Sequence, residues 1–211
     1  MEDQPQSLGG LRVVEYGTAL GGAYATKLLS DAGAETIKIE SPQGDPLRSS
    51  VFSYAENEAQ DQQGLFNFLN TNKLGVTLDP TKAAGHKVLE KLLQDADVFL
   101  WSGVARMSRT MRFHYRYLKR INPRLVVVSV TPFGLTGPYS NWKGGEFITY
   151  NLGGMGYATP GMPDEVDDPP NEPPLHPRVR VADFVTGQVA AVATMMGIFA
   201  REQDGLGRHV D

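Results

Sequence analysis

The sequence contains no cysteine. That excludes disulfides, thiolate nucleophiles and thiolate metal sites, and leaves no need for an oxidising compartment. Histidine is scarce: His86, His114, His176 and His209 are scattered without ligand spacing, so no metal site is expected. No uninterrupted run of about eighteen apolar residues occurs, so nothing obviously spans a membrane. Neither a G-x-S-x-G elbow nor a Walker loop is present, which disfavours serine hydrolases and P-loop NTPases. The formal net charge of −4 argues against nucleic acid as the main partner. The opening Met1–Gly10 (MEDQPQSLGG) is acidic and polar, unlike a signal peptide. A soluble, cytoplasmic protein is the default expectation.

What is present suits a globular core. The chain has 211 residues, 41% of them hydrophobic and 21% charged, enough for one large domain or two small ones. Residues 1–10 read as a loose tail and 11–158 as a Rossmann-like domain. Within it Arg12–Tyr16 is a β-strand, Gly17–Ala23 a glycine-rich turn, Tyr24–Ala32 a helix stopped by Gly33, and Thr36–Glu40 a second strand. Strand, turn, helix, strand implies a parallel sheet with a right-handed crossover. Ser41–Asn72 reads as a long loop with a short helix near Leu65–Leu69. A strand follows at Gly75–Leu78, then a helix over Thr81–Gln94 with Val88, Leu89, Leu92 and Leu93 on one face. Val98–Trp101 and Leu125–Val130 are further strands, separated by two short helices within Ala105–Arg120. Phe133–Tyr139 is turn chemistry, and Glu146–Met155 reads as a helix. Residues 160–177 hold seven of the fourteen prolines, together with Asp164, Glu165, Asp167 and Asp168. The stretch 159–179 is therefore an extended connection.

Residues 180–211 carry the most distinctive pattern. Asp183 sits between a Val-rich run and a helix that is apolar nearly all round from Phe184 to Phe199, which predicts burial. Gly205 and Gly207 follow as stop signals. Asp183 reads either as the N-cap of that helix or as a carboxylate placed for chemistry where the helix dipole favours an anion. Two weaker sites accompany it. The turn Gly17–Gly22 follows a strand and opens a helix, where α/β proteins bind phosphates, with Glu40 at the position of a ribose-binding acid; it is equally a plain tight turn. Arg106, Arg109, Arg112, Arg116, Lys119 and Arg120 form a basic stretch, with Arg109, Arg112 and Arg116 on one helical face. Such a face holds phosphates or is simply solvated.

Four segments in order resemble the family III CoA-transferases, a group including formyl-CoA transferase and carnitine CoA-transferase, with α-methylacyl-CoA racemase as a sister. They are Leu8–Arg48, Leu69–Asp79 (LNTNKLGVTLD), Ile121–Tyr139 (INPRLVVVSVTPFGLTGPY) and Val179–Asp211. The resemblance implies transfer of CoA between carboxylic acids through an aspartyl mixed anhydride and an aspartyl-CoA thioester. Asp183 with Gly187 matches the family's G-D-x-x-x-G aspartate. Ala19, Leu20 and Gly21 would line the CoA site, as would Ser102 and Gly103. Lys73, Arg106 and Arg109 would lie near the CoA phosphates or adenine. Acyl-CoA and a carboxylic acid are the implied substrates, without a metal. Gly145 before Glu146 replaces the racemase histidine, so racemase activity is not expected.

The chain departs from the family in three places. Trp101–Arg106 (WSGVAR) replaces E-N-F-x-P-G, Asn72–Gly75 (NKLG) replaces N-K-R-S, and Ser41 stands where an arginine is common. Family members are roughly twice as long, and their two chains interlock as linked rings. The expectation is therefore a fragment of an interlocked-dimer fold, or one unit of a larger protein. The alternatives are a non-catalytic half serving assembly or regulation, and a dinucleotide-binding oxidoreductase resting on the glycine turn and Glu40.

Overall fold

A computed structural model describes residues 6–48, 64–159 and 175–211. Six strands form one parallel sheet in the order β3-β2-β1-β4-β5-β6. They are β1 (Arg12–Gly17), β2 (Glu35–Glu40), β3 (Lys73–Thr77), β4 (Val98–Ser102), β5 (Val126–Val130) and β6 (His209–Val210). The central strands β4 (VFLWS) and β5 (VVVSV) are buried along their whole length. Both faces of the sheet are covered, so apolar residues need not alternate with polar ones there.

Helices cover the two faces. On one lie α3 (Ala83–Gln94), α4 (Met107–Thr110) and α5 (Tyr115–Ile121), packed over Val14, Phe99, Trp101 and Val127. On the other, α1 (Leu20–Asp31) and α7 (Val181–Asp204) pack over Val13, Leu100, Val126 and Val128. The short α2 (Gly64–Asn70) lies against α1, and α6 (Glu146–Leu152) against α7. The α/β architecture read from the sequence is the one found.

Several boundaries differ, each for a physical reason. Helix α1 begins at Leu20, one turn before the sequence suggested. Gly21 and Gly22 are packing positions inside the helix, because a Cβ there would meet Asp183 O at 3.0 Å and Ser102 Cβ at 2.6 Å respectively. Gly17, with φ of 140°, makes the turn. Residues 6–10 are not wholly loose: Leu8 donates its amide to Ala32 O. Val88 of α3 is exposed, and the buried face is Gly85, Leu89 and Leu93. The two-residue β6 escaped the sequence reading because so short a strand is defined only by its pairing with β5. The acidic prolyl stretch with Asp164, Glu165, Asp167 and Asp168 lies outside the described residues.

The long helix differs most. Its sheet side is made of Gly187, Ala190, Ala191, Thr194, Gly197 and Arg201. Its opposite side exposes Val189, Val192, Met196 and Phe199, each by 62% or more. It is therefore not buried all round: small residues seat it on α1 and the sheet, and the large ones face away. By length and composition α7 could cross a membrane. In the fold it packs along α1 and β5, and Arg201 bonds Asp97 Oδ1 at 2.9 Å. Gly205 ends it in a left-handed conformation, donating to Arg201 O at 2.7 Å.

Candidate active site

From β1 the chain proceeds toward β2 and β3, and from β4 toward β5. The adjacent C-terminal ends of β1 and β4 are thus the topological switch point, where parallel α/β sheets open a crevice. Gly17 and Ser102 are register partners there. A Cβ on Gly17 would stand 2.2 Å from Ser102 O, so no larger residue fits. Ala19, at the N-cap of α1, donates its amide to Ser102 Oγ at 3.3 Å. Gly103 follows with φ of 152° and donates to Val130 O at 3.0 Å. Ala19, Leu20, Gly21, Ser102 and Gly103 are thus gathered at one end of the sheet. The Leu20 side chain is core, packed with Leu47, Phe66 and Leu69, so only its backbone belongs to the crevice.

Of the predicted cations, Arg106 and Arg109 are exposed, at the N-cap of α4 and within it. The single basic face is broken: α4 ends at Thr110, and Arg112 has a positive φ of 56° before α5 begins. Lys73 requires a correction. Its side chain is 1% exposed, and its ammonium donates to Glu15 Oε2 and Ala23 O, each at 2.8 Å. It is committed to the core in place of a phosphate. Glu15 also accepts from Lys38 at 2.8 Å and from Thr26 Oγ1 at 2.6 Å, and Lys38 pairs with Asp45 at 2.8 Å. Burial pushes the Glu15 carboxyl up, but Lys38 and Lys73 outweigh it and hold it at about 2. The sequence reading missed this cluster because Glu15 and Lys38 alternate within their strands like solvent-facing residues. Glu40 is also engaged, receiving both Arg48 Nε and Nη2 at 2.7 Å, which leaves no free carboxylate for a ribose.

Asp183 lies in the first turn of α7, above the start of α1. It is not the N-cap; that position is Arg180, and no side chain of the cap residue bonds the helix end. The amides of Ala182 and Asp183 donate instead to Glu146 Oε1 and Oε2 of α6, at 2.9 and 2.8 Å. Arg180 Nε pairs with Asp183 Oδ2 at 2.5 Å, and His176 Nε2 lies 3.3 Å from Glu146 Oε1. Burial raises the Asp183 carboxyl above its ordinary value; Arg180 opposes that and the Glu146 charge adds to it. The Asp183 backbone carbonyl packs against Gly21 at the crevice, and a partly buried carboxylate of raised basicity is a group whose chemistry suits attack on an acyl carbon. An apolar cavity of about 390 Å³ lies beside the next turn, lined by Phe133, Val185, Thr186 and Val189 among others. A larger cleft, about 540 Å³, lies by Arg12, Glu35 and Asp97, which open β1 and β2 and precede β4, and it shares no residue with the crevice. Among the described residues no group of three or more His, Asp or Glu is placed to hold a metal ion.

The family model for CoA-transferase family III matches residues 8–211. The chain belongs to that family. It is 29% identical to a succinate–glutarate CoA-transferase of Agrobacterium fabrum, covering 100% of this chain and 52% of that protein. It is 31% identical to a formyl-CoA:oxalate CoA-transferase of Streptomyces avermitilis, covering 98% and 47%. A crystal structure of a CaiB/BaiF family protein from Brucella suis superposes with a TM-score of 0.81 at 31% identity, covering 99% of this chain and 53% of that one. A hypothetical protein of Mycobacterium tuberculosis gives 0.83 at 27%, covering 99% and 55%. The fold is that of the N-terminal half of these structures, and the chain spans about half the length of the curated relatives it matches.

Proposed function

We propose that this family III chain transfers CoA between carboxylic acids, with Asp183 as the acyl-accepting nucleophile. The observation that carries the reading is the placement of Asp183: partly buried, raised in basicity, and with its backbone carbonyl packed against Gly21 in the first turn of α1, by the sheet's switch point. The Asp183 carboxylate attacks the donor thioester, giving a mixed anhydride and CoA thiolate. The thiolate attacks the aspartyl carbonyl, giving an aspartyl-CoA thioester and releasing the donor acid. The acceptor carboxylate reverses these steps and leaves as its CoA thioester. Each exchange conserves the activated acyl bond, so water must be kept out. The backbone at Ala19–Gly21, Ser102 and Gly103 supplies the surface for the CoA thiol end, and the amides of Leu20 and Gly21 in the first turn of α1 are the candidate oxyanion donors. Arg106 and Arg109 are the candidate phosphate ligands. Lys73 is left out of the CoA site because its ammonium is enclosed.

The exposed apolar side of α7 is the surface on which the proposed interlocked homodimer would close over the site. The proposed compartment is the cytoplasm. A non-catalytic role in a larger assembly remains the second reading, favoured by the enclosed Lys73 and by the WSGVAR segment at the crevice.

The test is an acyl-adduct trap. The chain and its Asp183→Asn variant are incubated with succinyl-CoA or formyl-CoA, quenched with hydroxylamine, and mapped by peptide mass spectrometry. A hydroxamate at Asp183 that disappears in the variant supports catalysis. Calorimetric binding of CoA with no adduct from either donor favours the second reading.

A further inference from the structure

Helix α6 serves α7 more than itself. It begins at Glu146, behind Gly145, and the Glu146 carboxylate reaches across the fold to the amides of Ala182 and Asp183, 36 and 37 residues away in sequence. Those are two of the first free N–H groups of α7, the groups a helix start must satisfy from outside. Arg180, in the N-cap position, provides no side-chain cap. The Glu146 side chain is only 9% exposed. One turn along α6, the buried Tyr150 places its ring edge-on to His176, with centroids 4.7 Å apart. His176 in turn holds its Nε2 3.3 Å from Glu146. Tyr150 is fixed at its other end, its hydroxyl 2.6 Å from Thr159 Oγ1.

Two consequences follow. The donors that would otherwise favour an anionic Asp183 side chain are occupied by another carboxylate. A second negative charge also stands beside Asp183. Among the described residues, the charged neighbours that act on Asp183 are Arg180, from the preceding segment, and Glu146, from α6. Those of Glu146 include His176 as well. From α1 the neighbours of this turn are Gly21 and Tyr24, whose ring meets Phe184 edge-on at 4.8 Å.

We propose that Glu146, braced by His176 and Tyr150, is a positioning residue that fixes the backbone under Asp183 and holds a second carboxylate beside it. The assignment rests on Asp183 being the nucleophile, and its test does not need turnover. The Asp183 carboxyl carbon is titrated by ¹³C NMR in the unaltered chain and in Glu146→Gln, with Asp183→Asn to assign the resonance. Glutamine keeps an acceptor and removes the charge, so the midpoint should fall. Glu146→Ala should also release the Ala182 and Asp183 amides to hydrogen exchange while the remainder of α7 stays protected. His176→Gln should loosen the same two amides to a smaller degree. An unchanged Asp183 midpoint in Glu146→Gln overturns the proposal, as does unchanged exchange at the two amides in Glu146→Ala. A shifted midpoint in a chain that forms no acyl adduct leaves this assignment standing and removes the catalytic reading. An adduct with an unshifted midpoint does the reverse.

Discussion

Gly187 of α7 rests directly on the carbonyl of Gly21 in α1. A Cβ at Gly187 would stand 2.8 Å from that oxygen and 2.8 Å from Tyr24 Cδ1. The helix bearing Asp183 and the start of α1 assigned to CoA are therefore in backbone contact, and any spacer between them moves one relative to the other. Gly187→Ala should destabilise the chain by about 1–3 kcal/mol, the usual range for overpacking. It should lower adduct formation at Asp183 well beyond what the lost folded fraction explains. Urea denaturation beside the adduct assay separates the two effects.

The buried Glu15 cluster should govern acid stability. With its carboxyl held at about 2 when folded, Glu15 contributes stability that is complete above its unfolded value and lost as pH falls from about 4.5 toward 2. Glu15→Gln should cost about 3–5 kcal/mol at neutral pH, because it leaves the Lys38 and Lys73 ammoniums without their shared anion. It should also flatten the loss of stability across that acid window. Thermal melts from pH 2 to 7 would read both.

Asp183 has the opposite sign. Its folded carboxyl is raised, so ionising it costs stability, and the cost grows as pH climbs from the unfolded value through the folded one. Asp183→Asn should be at least as stable as the unaltered chain at neutral pH while forming no adduct. A variant clearly less stable at pH 7 would mean that the Arg180 pair outweighs the burial of the carboxylate.

The exposed side of α7 should behave as an interface. Lysine at Val192 and Met196, 62% and 67% exposed, should leave the folding stability of the isolated chain within about 0.5 kcal/mol, as at other surface sites. The same pair of changes should reduce self-association measured by sedimentation velocity. Unaltered sedimentation would place the interface elsewhere.

Exposed arginines offer a graded test of the CoA site. Arg106→Ala and Arg109→Ala should each weaken CoA binding by about 0.2–1 kcal/mol, the range for solvent-exposed charge pairs. The loss should shrink as salt is raised. Calorimetry at two ionic strengths would detect it, and full affinity in the double variant would remove both residues from the site.

Much of the fold was legible because its signals are local. The strand at Leu125–Val130, the βαβ opening and the stop at Gly205 depend on residues near one another in sequence. The placing of Ala19, Gly21, Ser102 and Asp183 near one another was also reachable, but only through the order of four family-like segments, since no short motif among them is specific. The roles of Lys73, Glu40 and Glu146 were not reachable in that way. Each is decided by a partner at least 8 residues away, and for Lys73 and Glu146 by more than 35. The same holds for the two sides of α7. Its composition announced an apolar helix, but only packing against α1 and β5 decides that the small residues face inward and the large ones face out.

By itself the sequence determined the parallel α/β class, the absence of thiol chemistry and the position of one distinctive aspartate at the start of a long apolar helix. These follow from composition and periodicity, which act residue by residue along the chain. The tertiary structure decided which charges are spent in the core, which carboxylate caps α7 and how basic Asp183 is. Those depend on desolvation and on distances between distant segments, and such distances exist only once the sheet has brought the segments together.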